Sequence, residues 1–156
     1  MSGKIDARLA ELGIQLPIAA APVANYAAYV VSGNTVHVAG QLPIKDGQLK
    51  YIGVVGDDVS IEDGMVAAEL CALNIIAQVK AACDGDLDRV VRIVKLNGFV
   101  NASAGFEDQP AVINGASNLI VKIFGDVGMH ARAAVGMGSL PLNASVEIDA
   151  IVEISK

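Results

Sequence analysis

Residues 146–154, VEIDAIVEI, alternate between apolar and mostly polar side chains, and this alternation constrains the fold more than any other segment. Successive side chains of a β-strand point to opposite faces of a sheet. One face therefore consists of Val146, Ile148, Ala150, Val152 and Ile154, and we expect helices to cover it. The opposite face carries Glu147, Asp149, Ile151 and Glu153. The acids on this second face need polar partners wherever they are buried.

Four further segments have strand or turn character. Two β-rich runs flank Ser32-Gly33-Asn34, which predicts a hairpin, and Asp46-Gly47 predicts another turn beside a short strand. Residues 90–100 predict a strand in which neither face is cleanly polar. Its two predicted faces are Val91, Ile93, Lys95 and Asn97 on one side and Arg92, Val94, Leu96 and Gly98 on the other. Residues 130–154 predict two closing β segments joined by a Leu-Pro turn.

Three segments have helical character. Residues 59–83 form the longest, with apolar side chains at helical spacing over about six turns between Ser60 and Asp84-Gly85. Ser60 with Asp63 resembles a capping box. A short helix is predicted over residues 2–13, with Ser2 as its cap.

The remaining helix is predicted to begin at Asp108 as its cap, with Pro110 in its first turn, and to end at Gly125. The element order is thus ββ(β)αβαββ, which is typical of one α+β or mixed α/β layered domain.

Composition limits the functional classes. Hydrophobic residues make up 53% of the 156, mean hydropathy is +0.51 and net charge is −6. No run of about 18 apolar residues predicts a membrane span, so the surplus apolar surface indicates contacts with other subunits. The negative charge disfavours nucleic acid as a partner. No signal sequence is apparent, and Cys71 and Cys83 fit reduced thiols of a cytoplasmic protein.

Common catalytic and metal-binding motifs are missing, and His37 and His130 are isolated, so both are interpreted as structural and no metal site is predicted. Arg132 is the sharper candidate. The strand face that it shares with Ala134, Gly136 and Gly138 leaves open space beside a guanidinium, which binds carboxylates bidentately. An intramolecular ion pair with Glu147 or Asp149 is the open alternative.

Residues 130–154, HARAAVGMGSLPLNASVEIDAIVEI, resemble the A-R-x-x-V-x-V-x-x-L-P…V-E-I-E-A-I pattern of the RidA (YjgF) family. Members of this family are also called endoribonuclease L-PSP or translation initiation inhibitor. Residues 26–43, YAAYVVSGNTVHVAGQLP, resemble the first two strands of the family, and the resemblance continues to the C-terminus. The N-terminal helix and residues 44–58 are similar to a longer subgroup.

The resemblance implies one chorismate-mutase-like α+β domain over residues 1–156, of which 1–20 form an N-terminal extension. It implies a mixed sheet with two main helices on one face, and three subunits that close a barrel with sites in the clefts between neighbours. The implied activity is hydrolysis of reactive 2-imino or enamine acids to 2-oxo acids and ammonia, with no cofactor.

The resemblance also suggests roles for individual residues. Arg132 matches the family arginine that grips the substrate carboxylate, and Glu147 matches the acid that positions or activates water. Tyr26 matches a tyrosine lining the cleft, and Asn114 matches an asparagine on the second helix.

Two positions depart from the family pattern. Ala39 stands where the archetypes have serine, and Ala134 stands where they have cysteine, although the backbone N–H and C=O of Ala134 remain available. A non-catalytic protein that binds a small carboxylate metabolite at the same cleft is therefore the alternative to a deaminase. A ribonuclease is a third hypothesis, which the net charge and the absence of paired histidines disfavour.

Overall fold

The computed structural model describes residues 3–22 and 24–156 and contains three α-helices and seven strands there. The helices are α1 (Lys4–Glu11), α2 (Ile61–Ala82) and α3 (Gln109–Phe124). The strands are β1 (Tyr29–Ser32), β2 (Thr35–Gln41), β3 (Ile44–Lys45), β4 (Gln48–Leu49), β5 (Val90–Asn101), β6 (Ala131–Met137) and β7 (Val146–Ile154). Short 3₁₀ turns cover Leu87–Arg89, Gly125–Gly128 and Pro141–Asn143.

Five strands form one mixed sheet in the order β1-β2-β7-β5-β6, with β5 and β6 parallel and the other neighbours antiparallel. Strands β3 and β4 form a separate hairpin, whose turn residues Asp46 and Gly47 both have positive φ. The α+β architecture and the predicted turns at 33–34 and 46–47 are confirmed.

Strand β7 lies in the centre of the sheet, and its alternation behaves as predicted. The residues of its apolar face, Val146, Ile148, Ala150, Val152 and Ile154, are all buried. Helix α2 packs on β7, and α3 packs on α2 and on strands β5 and β6. The two main helices therefore cover one face of the sheet, and the core lies between the helices and that face.

Helix α2 begins and ends where its sequence predicts. The Ser60 hydroxyl accepts the Asp63 N–H at 3.1 Å, and the chain leaves the helix through Asp84 and Gly85, both with positive φ. By length and composition this helix could cross a membrane. Burial in the core explains the apolar composition of α2, because 56% of its apolar window lies inside the fold. The free cysteine Cys71 is among the buried residues.

The other two helices are stabilised at their starts in ways that the sequence does not indicate, although α3 has its predicted limits at Asp108 and Gly125. Ser2, the predicted cap of α1, lies outside the described residues. Within the described residues, the Asp88 carboxylate caps this helix by accepting the N–H groups of Lys4 and Ile5 at 2.7 and 2.8 Å. Asp108 stands at the start of α3, but its side chain makes no capping hydrogen bond, so the predicted side-chain cap is wrong.

The predicted alternation along β5 is also wrong. The pairing with β7 skips one residue at Val91 and another at Val94, and such bulges turn a strand's side chains by one position. Ile93 and Leu96 therefore share the buried face, although a regular strand would separate them. The two predicted closing strands are β6 and β7, and β5 lies between them in the sheet.

Candidate functional site

Arg132 lies on β6, the edge strand next to α3. Its Nη1 donates to Asn114 Oδ1 at 2.8 Å and to Ser117 Oγ at 3.2 Å. Asn114 and Ser117 are three residues apart and so lie on one face of α3. These two bonds use both hydrogens of Nη1. Within the described residues, Nε and Nη2 have no protein acceptor, and this edge matches the two oxygens of a carboxylate.

The alternative of an internal ion pair for Arg132 is wrong. No salt bridge of the described chain includes Arg132. Asp149 instead accepts the side-chain N–H of Asn97 at 2.7 Å, which provides the polar partner that the outward face of β7 requires.

A cleft of about 520 Å³ lies beside Arg132, between α3 and the residues that lead into β6. Its walls are Asn114, Ser117, Asn118, Val121, Lys122, Met129, His130 and Arg132. These walls contain two cationic side chains and no acid, although the whole chain carries a charge of −6. The cleft is therefore electrostatically suited to an anion.

His130, which the sequence places among the isolated, structural histidines, lines this cleft. Its Nε2 lies 2.9 Å from Ser117 Oγ, and its Nδ1 lies 2.7 Å from the Gly128 carbonyl oxygen. Sequence reasoning missed Ser117 altogether. Two signals were available: His130 precedes Arg132 by two positions, the spacing of one strand face, and Ser117 follows Asn114 by one helical turn.

His37, the other predicted structural histidine, lies 3.1 Å from the Thr35 hydroxyl on β2. Within the described residues, His, Cys, Asp and Glu form no group of three that could hold a metal ion.

Glu147, the second predicted catalytic residue, lies on the face of β7 that points away from the helices. Its carboxylate packs directly against Gly40, where an added Cβ would overlap Oε1. The register between β2 and β7 slips between Val38 and Gln41, so Ala39 and Gly40 form a bulge at this point. Burial, and to a smaller extent the charge of Asp149, raises the pKa of the Glu147 carboxyl.

The remaining predicted site residues divide between the two centres. Ala134 pairs with Gly98 and is half-buried on the same side of β6 as Arg132. The Ala39 N–H donates to the Ala28 carbonyl at 2.9 Å. Tyr26 precedes this contact by two residues, with 49% of its surface exposed.

The structure does not bring Arg132 and Glu147 together within one subunit. Arg132 is in register with Leu96, which is buried under the helices, whereas Glu147 is in register with Phe99. Leu96 and Phe99 are an odd number of positions apart in the regular part of β5, so they point to opposite faces. One subunit thus carries two separate half-sites: Arg132 with Asn114 and Ala134, and Glu147 with Ala39 and Gly40.

Comparison with known proteins agrees with this fold. The model of the YjgF/chorismate mutase-like endoribonuclease family matches residues 6–154. The chain belongs to this family.

Three relatives illustrate its range. Protein TCP17 of Trypanosoma cruzi is 52% identical over 99% of this chain and 96% of its own. The 2-iminobutanoate/2-iminopropanoate deaminase of Dermatophagoides farinae is 31% identical over 90% of this chain and 94% of its own. The crystal structure of Atu1372 from Agrobacterium tumefaciens, a protein of unknown function, superposes with a TM-score of 0.91 at 57% identity, covering 97% of this chain and 92% of that one.

Proposed function

We propose that this protein hydrolyses small 2-imino or enamine acids to 2-oxo acids and ammonia. The observation that carries the proposal is the unsatisfied Nε–Nη2 edge of Arg132, held beside a cleft without acidic walls. A fixed, planar pair of donors suits the substrate carboxylate. The deaminase activity named for the mite relative, at 31% identity, supports the same reaction class.

Glu147 is the proposed general base that activates the attacking water. Its pKa is raised by burial and by Asp149, and a carboxylate whose pKa is closer to neutrality is a better proton acceptor at the working pH. As the water oxygen bonds to the imine carbon, the second electron pair of the C=N bond moves to nitrogen, and Glu147 takes a proton from water and delivers it to that nitrogen, which gives a carbinolamine. Glu147 then passes the hydroxyl proton of the carbinolamine to the nitrogen, the C–N bond breaks as the C=O bond forms, and ammonia and the 2-oxo acid are released. The imine is already electrophilic, so positioning supplies much of the help.

The placement of the half-sites implies an oligomeric enzyme. A small substrate cannot touch Arg132 and Glu147 of one subunit, because they lie on opposite faces of its sheet. We therefore propose that the substrate binds between subunits, with Arg132 from one and Glu147 from its neighbour, in a homotrimer. The sheet face without helices favours this assembly, since Val30 and Val135 on it are 54% and 43% exposed and would gain cover from other subunits. We also expect a cytoplasmic location, in keeping with two unpaired, buried thiols.

The decisive experiment couples the protein to a serine or threonine dehydratase, which generates the imine, and follows the rate of imine loss. We expect Arg132→Ala to lower kcat/KM by at least about 100-fold, because a lost bidentate ion pair at a binding site costs about 3 kcal/mol or more. Arg92→Ala is the matched control, because Arg92 is an exposed arginine on the neighbouring strand. An Arg132→Ala protein as active as the wild type would refute the proposal.

A second candidate function is non-catalytic binding of a small carboxylate. Ala39 and Ala134 favour it, because they make the walls of both half-sites smaller and more apolar than the family pattern. Calorimetric binding of 2-oxobutyrate that depends on Arg132, together with no turnover of any imino acid, would establish this alternative and exclude the deaminase.

A further inference from the structure

We propose that Ser117 and His130 are positioning residues that fix the Arg132 guanidinium and reserve its Nε–Nη2 edge for a carboxylate. The ligand class rests on the proposed function, whereas the fixing of Arg132 can be measured without any ligand. Three contacts link the backbone at Gly128 to Arg132. They join Gly128 O to His130 Nδ1 at 2.7 Å, His130 Nε2 to Ser117 Oγ at 2.9 Å, and Ser117 Oγ to Arg132 Nη1 at 3.2 Å.

The Gly128 carbonyl, at one end of this series of contacts, fixes the direction of each hydrogen bond. A backbone carbonyl can only accept, so His130 Nδ1 must carry the hydrogen that reaches Gly128. In the neutral ring Nε2 is then the acceptor, and the Ser117 hydroxyl must donate to it. The Ser117 oxygen keeps its lone pairs for Arg132, whose Nη1 can only donate. Each donor in this chain therefore meets an acceptor.

Arg132 needs such support because its own strand provides little. The next residue on its own side of β6 is Ala134, whose methyl group is too short to restrict the Arg132 rotamers. A free arginine side chain loses rotamer entropy when it binds a ligand. Two acceptors on α3, Asn114 and Ser117, remove part of that freedom before the ligand arrives, which improves affinity by preorganisation.

The arrangement also affects specificity. Both hydrogens of Nη1 are already engaged, so a ligand meets only the Nε–Nη2 edge. That edge presents two parallel N–H groups, which a carboxylate satisfies with two oxygens and a carboxamide with only one. The Ser117–His130 pair thus selects for a carboxylate by limiting how Arg132 can donate.

Two pairs of variants test the proposal on the full-length protein. Ser117→Ala removes the hydroxyl, and Ser117→Thr keeps it. His130→Gln keeps an acceptor near the position of Nε2, whereas His130→Asn keeps only a group near the position of Nδ1. Ser155→Ala is the control, since it removes a serine hydroxyl that does not line the cleft.

The first readout is ¹⁵N NMR in the absence of ligand. We expect His130 in the Nδ1–H tautomer and resolved Arg132 Nη signals, because rotation about its Cζ–Nη bond is restricted. Ser117→Ala and His130→Asn should merge the Nη signals, and Ser117→Thr and His130→Gln should keep them apart. An Nε2–H tautomer in the wild type, or Nη signals that Ser117→Ala leaves unaltered, would overturn the proposal.

The second readout is the affinity for 2-oxobutyrate and for its amide. We expect Ser117→Ala to weaken 2-oxobutyrate binding about tenfold, the usual scale for one hydrogen bond to a charged group, and to weaken amide binding much less. Ser117→Thr should restore most of the loss. Equal losses for both ligands would overturn the specificity argument. Wild-type protein that binds 2-oxobutyrate without hydrolysing imines would refute the proposed deaminase alone, since the Nη signals would still decide whether Arg132 is fixed.

Discussion

Gly40→Ala tests the role of Glu147 without removing its carboxylate. In the structure, a Cβ at Gly40 would overlap Glu147 Oε1 and lie only 3.0 Å from Cδ and 3.2 Å from Cγ. Gly40 does not have a positive φ, so alanine fits the backbone there. The perturbation therefore acts mainly through the neighbouring carboxylate, which must retreat.

The size of the effect follows from that retreat. Ordinary contact begins near 3.4 Å, so the end of the Glu147 side chain must move by about 1 Å, and a misplacement of this size can reduce a rate about 100-fold. In the assembled site the ligand carboxylate is held by Arg132 with Asn114 and Ser117, none of which contacts Gly40, so binding of the carboxylate should be unaffected. We thus expect kcat for imine hydrolysis to fall about 100-fold while the affinity for 2-oxobutyrate stays within about twofold of the wild type.

The assay is the dehydratase-coupled measurement of imine loss, combined with calorimetric titration of 2-oxobutyrate. Gly138→Ala is the matched control, because an added Cβ there meets nothing within 4 Å. If Gly40→Ala hydrolyses imines at the wild-type rate, then Glu147 does not act from the position described here. If both kcat and affinity fall together, the two half-sites are not independent.

Three further predictions concern stability. Asp88→Ala should lower the free energy of unfolding by about 1 kcal/mol at pH 7. The Ile5 and Lys4 N–H groups lower the pKa of Asp88, so in urea titrations the difference between variant and wild type should disappear as pH falls through that lowered pKa. Glu147→Gln should stabilise the folded chain only above about pH 4, the ordinary pKa of a glutamate in an unfolded chain. The raised pKa of Glu147 means that folding opposes its ionisation, and glutamine removes that cost. A difference in unfolding free energy that does not change with pH would contradict this. Gly115→Ala should lower the free energy of unfolding by about 3 kcal/mol or more, because its Cβ would lie 2.8 Å from the Met65 carbonyl carbon. A free energy of unfolding from urea titration within about 0.5 kcal/mol of wild type would refute the close approach of α2 and α3.

The features that local sequence predicts correctly are those with local causes. The alternation in β7 depends only on which residues face the helices, and the Ser60 cap and the 33–34 turn each depend on a few adjacent residues. Such patterns need no knowledge of partners that are distant in the chain, so the element order and the α+β class could be predicted from them.

The features that the sequence did not predict depend on distant partners. The bulges in β5 arise from its pairing with β7, and the cap of α1 comes from Asp88, more than 80 residues later. The two half-sites are the clearest case. The sequence leaves an ion pair between Arg132 and Glu147 as an alternative, but β5 lies between the strands that carry them. The strand–helix–strand order of β5, α3 and β6, a signal for parallel pairing, was the available hint.

The two bulges in β5 have a consequence for how this chain can change in evolution. In a regular strand, deletion of one residue turns every later side chain to the other face. Val91 and Val94 are the extra residues of the bulges and are only partly covered, with 44% and 37% of their surface exposed, so the loss of either would straighten the strand and keep Leu96 in the core. Among related chains, single-codon insertions and deletions within this strand should therefore concentrate at these two positions.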